Sequence, residues 1–367
     1  MTAPKADGGL RIAICGIQTL FTRGGAELHL ESLARELALR GHRVDIVKLP
    51  FSWSKAELLQ DALVWRLIKV DADVLIATNF PSYFAKHHNK VVWLFHQHRH
   101  LYELYGTQWS VFGREEQDAD IRRVVTAADS RFILEARRIF TGSRNVADRL
   151  RRFNGIEAAA LYHPPPLYRS LHFEEYGDFI LMPTRFQPNK RPELLLDALR
   201  CCRSSIRAVV VGSGPLEADM RRRAEKYGLE DRVRFAGTVD DATLIDLYAR
   251  CAAVFYAPYD EDYGYVTLEA FYSRKPVVTT ADSGGVLEFV ADGETGLVTS
   301  VDPEAIAQAI DRLAWSRDLC RDFGTAGFER VGAISWDDAI AKLLDDRGSA
   351  WPAPTDAGPT PRERGQI

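Results

Sequence analysis

The chain reads as an α/β protein of two doubly wound, Rossmann-like halves that face each other across a cleft. Three observations predict this. Apolar, β-rich runs alternate with amphipathic helical stretches along the whole chain, as strand–helix–strand units of parallel sheets do. The alternation breaks once, at the three consecutive prolines of "LYHPPPLYRSLHFEEYGD" (161–178), which exclude helix and central strand alike. The length, 367 residues with 46% apolar, suits two globular domains with sizeable cores.

In the first half, "RIAICGI" (11–17), "RVDIVKL" (43–49), "DVLIATN" (73–79), "VVWLF" (91–95) and "RIFTGS" (138–143) predict buried strands. Between the first two lies a helix over 26–41, with Leu28, Leu30, Leu33, Leu37 and Leu39 at helical spacing and Gly41 closing its end. After the break, "FILMPTR" (179–185), "RAVVVGSG" (207–214), "RVRFAG" (232–237), "AAVFYAP" (252–258), "PVVTT" (276–280) and "GLVTS" (296–300) predict the second sheet. The expected domains are 1–165 and 175–334. A last helix is expected over 335–346, and a disordered tail over 347–367, where Pro, Gly and polar residues dominate.

Composition narrows the function classes. Net charge is −4, divided into +5 over residues 1–165 and −9 over the rest. That balance lacks the clustered basic stripe of a nucleic-acid binder, so no nucleic-acid partner is expected. The modestly basic first half fits an anionic surface or ligand, and equally a solvated face. Five cysteines without a C-x-x-C pair point to a reduced setting. No apolar run approaches the roughly 20 residues of a membrane span, and the first residues lack a secretory pattern. A cytoplasmic protein is expected. The basic bias and "RRFNGI" (151–156) leave room for peripheral association with the inner face of the membrane and for a lipid-linked acceptor.

Ligands of open α/β sheets sit beyond the carboxyl ends of strands, and three stretches fall there. In "QTLFTRGGAE" (18–27), Gly24 and Gly25 lead into a helix whose N–H groups can meet an anion; a helix start that needs glycine explains them as well. In "TRFQPNKRPELLLDA" (184–198), Arg185 and Lys190 suit a diphosphate, with solvated loop charges as the alternative. In "YDEDYGYVTLEAF" (259–271), Glu261 is expected at a cleft rim. Gly264 permits a tight turn, and Glu269 lies deeper on the following helix. Two carboxylates flanking a phosphate-binding helix start can hold hydroxyls on the two sides of a diphosphate; a loop acid plus a helix-face acid is the plainer account.

These residues resemble the retaining glycosyltransferases of family 4, which have the GT-B fold. "EDYGYVTLEA" looks like that family's E-x7-E motif. Around it, in family order, stand "GGAE", the R-x4-K of "RFQPNKRP", "VVGSGP" with Gly212, "VRFAGTVDDATLIDLYARC" and "KPVVTTADSGGVLEFVADGETGLV". The resemblance implies that Gly25, beside Gly24, approaches the donor diphosphate, and that Arg185 and Lys190 neutralise it. It gives Glu261 the transferred sugar and Glu269 the ribose, has Gly264, Tyr265 and Val266 cradle phosphate, and sets Gly237 and Val239 near the base. Tyr263 departs from the family, where Phe is common. "VVWLFHQHRHLYELYGT" (91–107) resembles the family's cleft-histidine region, with His96 at a strand end, where an imidazole can donate to a sugar hydroxyl. Branches that assemble bacterial surface polysaccharide, several of them mannosyltransferases, look most similar.

His96, His98 and His100 alternate and would share a strand face, but satisfied structural roles for His98 and His100 are expected rather than a metal site. "DAD" at 71–73 and 118–120 imitates the acidic metal motif of the other glycosyltransferase fold; both copies read as surface acids. No metal and no cofactor beyond the nucleotide-sugar co-substrate are therefore expected. The function implied is retaining transfer of a hexose from a nucleotide-diphosphate sugar (GDP-mannose or a UDP-sugar) to a glycan, lipid-linked or small-molecule acceptor. The alternatives are a sugar-nucleotide epimerase, which would need a proton-transfer pair and no acceptor, and a non-catalytic nucleotide-sugar binding protein.

Overall fold

The computed structural model describes residues 9–20 and 24–345; the tail expected at 347–367 lies outside them. The first half runs β1 (Arg11–Gln18), α1 (Gly25–Leu39), β2 (Arg43–Pro50), α2 (Leu58–Val64), β3 (Val74–Asn79), β4 (Lys90–His96), α3 (Glu116–Ile133), β5 (Arg138–Thr141), α4 (Arg144–Asn154) and β6 (Ala159–Ala160). All strands are parallel, in the order β2-β1-β3-β4-β5-β6. β3, "VLIATN", is buried at every residue, as a central strand covered on both faces must be. The two-residue β6 escaped sequence reading because its alanines carry no strand signal.

α1 begins where Gly24 takes an extended conformation and the Glu27 carboxylate accepts the Gly24 N–H at 2.9 Å. Leu30, Leu33 and Leu37 are at most 1% exposed. Burial of each contributes about 1.5–3 kcal/mol. Leu39, read as part of this stripe, is 64% exposed. It stands two residues beyond Leu37, hence on the opposite side of the helix.

The second half runs β7 (Phe179–Pro183), α5 (Glu193–Cys201), β8 (Arg207–Val211), α6 (Glu217–Lys226), β9 (Val233–Gly237), α7 (Asp241–Arg250), β10 (Ala253–Phe255), α8 (Tyr265–Tyr272), β11 (Val277–Thr280), β12 (Gly296–Thr299), α9 (Pro303–Trp315) and α10 (Arg317–Val331). Its six parallel strands are ordered β12-β11-β10-β7-β8-β9. Each sheet carries an apolar core on both faces: Ile12, Leu30, Val91 and Trp93 on one side of the first and Cys15, Leu75, Val92 and Val125 on the other. Ile180, Val210 and Phe255 lie on one side of the second, and Leu181, Val254 and Leu268 on the other.

The chain then returns. α11 (Trp336–Leu344) buries Trp336, Ala339, Ile340 and Leu343 in the core of the first half, beside Ile12, Leu30 and Trp93, and Arg40 pairs with Asp337. The carboxyl ends of β1, β4 and β5 thereby lie against those of β7 and β10, as the contacts below show.

Candidate active site

α8 is set by Gly264. Its φ of +83° turns the chain out of the loop after β10 and into the helix. A β-carbon there would lie 3.2 Å from both Tyr256 and Val286. The first-turn amides of Tyr265 and Val266 have no partner within a helix start and favour an anion.

Arg185 and Lys190 come from the β7–α5 loop. Arg185 is exposed and pairs with no carboxylate among the described residues. A β-carbon on Gly24 would lie 3.2 Å from Arg185 Nη1, and one on Gly25 would lie 3.7 Å from the Tyr265 ring. The glycine pair of the first half therefore meets both Arg185 and the start of α8. Lys190 is 11% exposed, with its ammonium on the Glu261 carboxylate and 3.4 Å from the Tyr256 hydroxyl. Burial lowers the Lys190 pKa, with Glu261 pulling the other way.

Glu261 is not the rim acid expected from sequence. Its side chain is only 13% exposed, because the backbone of its loop is pinned: Glu261 N–H donates to Ser283 O at 3.2 Å, and Gly285 N–H donates to Glu261 O at 2.7 Å. Glu269 lies on the second turn of α8 and accepts from the Tyr248 hydroxyl at 2.8 Å; burial pushes its carboxyl up to about 7. Gly212 N–H donates to Gly237 O at 2.8 Å, which ties the loops after β8 and β9 together. A β-carbon on Gly212 would sit 1.9 Å from Thr184 O, so this glycine permits close approach of the β7 and β8 loops. Val239 is partly buried against the apolar core that holds Leu247, Tyr248 and Leu268.

His96 ends β4, half-buried, with Nδ1 3.0 Å from Gln97 O. The shared strand face expected for His96, His98 and His100 does not form, since the strand stops at His96. His98 is also not satisfied: it is buried edge-on to Trp53, Phe80 and Phe112, and neither ring nitrogen has a hydrogen-bond partner among the described residues. Burial pushes it down to about 3, which keeps it neutral. His100 Nδ1 accepts the Val111 N–H at 3.3 Å. Asp118 corrects a second expectation. It is buried, held by Lys55 at 2.8 Å and by the Gly113 N–H at 2.6 Å, because α3 packs it under the 107–114 loop. Asp71 is exposed and pairs with Arg11. Among the described residues no group of His, Cys, Asp or Glu side chains is arranged to hold a metal ion, and no helix is long and apolar enough to cross a membrane.

Two features escaped sequence reading. His29 of α1 and His163 approach to 3.2 Å, and His163 Nε2 lies 2.7 Å from the Tyr265 hydroxyl. This buried, neutral pair links α1 to α8; the signal was a histidine in the apolar stripe "AELHLESL". Tyr263, the departure from the family pattern, donates to His163 O at 2.6 Å, so its hydroxyl serves the interdomain connection. The second feature is the role of Asp260 and Asp262, which face Arg99 and Arg149 of the first half.

Residues 168–330 match the family model described as glycosyl transferases group 1. D-inositol 3-phosphate glycosyltransferase of Streptomyces coelicolor is 32% identical over 174 residues, 44% of this chain and 38% of the relative. Phosphatidyl-myo-inositol mannosyltransferase of Mycobacterium leprae is 31% identical over 198 residues, 52% of this chain and 51% of the relative. The chain thus spans about two-fifths to one-half of the length of these curated relatives. Sucrose-phosphate synthase from Thermosynechococcus elongatus superposes with a TM-score of 0.71 at 20% identity, over 91% of this chain and 97% of that one. Both facing sheets take part in that likeness, and the family model covers the half that carries Arg185, Lys190, Glu261 and Glu269. Residues 168–330 belong to the group 1 glycosyltransferases, the family-4 type, within a chain of GT-B fold.

Proposed function

We propose that this protein transfers a hexose from a nucleotide-diphosphate sugar to an acceptor hydroxyl, with retention of anomeric configuration and without a metal ion. The observation that carries the reading is the meeting of Gly24, Arg185 and the start of α8, with Lys190 and Glu261 alongside. Two cations and a helix start suit a diphosphate that gains charge as the sugar departs. A carboxylate beside them suits sugar hydroxyls, and Glu269 suits the ribose. Glu261 is occupied by Lys190, which argues for front-face attack rather than a covalent glycosyl-enzyme. In that step the acceptor oxygen bonds the anomeric carbon as the glycosyl–phosphate bond breaks, and the acceptor's proton passes to the leaving phosphate.

The relatives' names, an inositol phosphate glycosyltransferase and a phosphatidylinositol mannosyltransferase, support glycoconjugate synthesis; GDP-mannose or a UDP-sugar is the donor this reading proposes. A glycan, lipid-linked or small polyol acceptor would bind the first half, and the place of work is the cytoplasm or the inner membrane face. A screen of UDP-, GDP- and ADP-sugars without added metal tests this, with nucleotide release and product followed by mass spectrometry. Slow release from one donor with retained configuration in the freed sugar is expected. Conversion of a donor to an isomeric nucleotide sugar would make the protein an epimerase instead, and binding without reaction of any donor, with or without acceptors, would leave a nucleotide-sugar binding module.

A further inference from the structure

Glu261 is held from two sides. Its own half pins the backbone through Ser283 and Gly285. The first half grips both neighbours in sequence. Arg99, in the turn after β4, donates to Asp260 O at 2.6 Å and lies 3.7 Å from the Asp262 carboxylate. Arg149 of α4 pairs with Asp262 and stands 3.3 Å from Asp260 Oδ1. Asn145, on the same helix, donates to Asp260 Oδ1 at 2.6 Å and to Glu261 O at 2.9 Å. Glu103 joins the two arginines, in contact with Arg99 and 3.1 Å from Arg149 Nε. Asp260 itself takes a φ of +43°, which is uncommon for any residue but glycine.

The burial of this cluster decides its character. Arg149 is 3% exposed, Glu103 5%, Arg99 14% and Asp262 16%. Surface ion pairs contribute little, but a buried pair that loses one partner leaves an uncompensated charge. The loop therefore has a strong reason to hold this shape only while the two halves meet. The cluster stands apart from Arg185 and Lys190, the cations proposed above for the diphosphate.

We propose that Arg99 and Arg149 are positioning residues: the first half uses them to set the 260–262 loop, so that the Glu261 carboxylate is correctly placed only when the two halves are engaged. This rests on the transferase reading of Glu261. Closure would then assemble the sugar contact rather than merely cover it.

The experiment uses the full chain as wild type, Arg149→Gln, Arg149→Lys and Asp262→Asn, the last being nearly isosteric and expected to fold. Amide hydrogen exchange is measured first, because it needs no activity. Exchange over 259–264 should rise about tenfold or more in Arg149→Gln and Asp262→Asn, less in Arg149→Lys, with the β7 and β8 strands unchanged. Unchanged exchange over 259–264 in Asp262→Asn overturns the proposal. Turnover of the donor found active is compared next with the affinity for its nucleoside diphosphate. A misplaced reacting group costs on the order of 100-fold. Turnover should fall about 10–100-fold while nucleoside diphosphate binding changes less than about twofold, and the Arg149→Gln/Asp262→Asn double variant should fall no further than either single one. Turnover and binding falling together, or independent multiplication of the two effects, would reduce the cluster to a fold brace and overturn it. If the wild type turns over no donor but exchange responds as expected, the transferase reading fails while the interdomain hold on the loop stands.

Discussion

Replacing Lys190 by methionine separates its electrostatic role from its packing role. The ammonium is 11% exposed and sits on a carboxylate that is 13% exposed, so its removal strands Glu261 in a low-dielectric wall. Leaving one partner of a buried ion pair uncompensated costs about 3–5 kcal/mol. For a domain of this size that corresponds to a fall in melting temperature of roughly 6–20 °C. Turnover should fall by a different route, through loss of charge stabilisation on the leaving phosphate, by about 100–1,000-fold. The decisive comparison is Lys190→Met with and without Glu261→Gln. Neutralising Glu261 in the Lys190→Met background should restore most of the melting temperature measured by calorimetry, while nucleotide release stays as low as before. Recovery of both together would mean that Lys190 only compensates Glu261, and the catalytic assignment would be wrong.

Arg185→Ala should behave differently. Its side chain is exposed, so the melting temperature should move by less than about 1 °C while turnover falls at least about 100-fold; near-normal turnover would remove it from the phosphate site. Glu269, pushed up to about 7, should make donor affinity rise between pH 6 and 8 as the carboxylate forms, and Glu269→Gln should flatten that profile. The stability consequence has the opposite sign. Because the folded state keeps this proton longer than the unfolded chain, its contribution is full below about pH 4 and is lost as pH rises through 7, which urea titrations of wild type and Glu269→Gln would resolve. Gly212→Ala would set a methyl 1.9 Å from Thr184 O at a φ of +125°, and should cost more than about 3 kcal/mol in urea unfolding; a loss under about 1 kcal/mol would show that the β7 and β8 loops yield easily.

Much of the architecture was legible because parallel sheets leave a strong local imprint. Strands such as "VLIATN", buried on both faces, are unbroken apolar runs, and α1 announces itself by leucines at helical spacing. Elements without such patterning were missed, as with β6. Boundaries shifted where a run continued past the last paired residue, as in β10, read as 252–258 and observed as Ala253–Phe255. The histidine alternation failed for the same reason: period-two spacing places three rings on one face only while the strand persists, and β4 ends at His96.

By itself the sequence determined the two-sheet α/β class, the loops at strand ends and the cations, carboxylates and glycines they carry. These are consequences of local propensity and spacing, encoded within a few residues of one another. Only the tertiary structure decided which of those residues meet: Gly24 with Arg185, and Asp260 and Asp262 with Arg99 and Arg149, across the halves, and Lys190 with Glu261 within the second half. Such pairings join positions far apart in sequence, 71 residues for Lys190 and Glu261 and more than 100 for the others, and a carboxylate's partner is set by which surface packs on it. Charge type is written in the chain, but burial and partnership, which give that charge its energy and its role, arise only when the two sheets face each other.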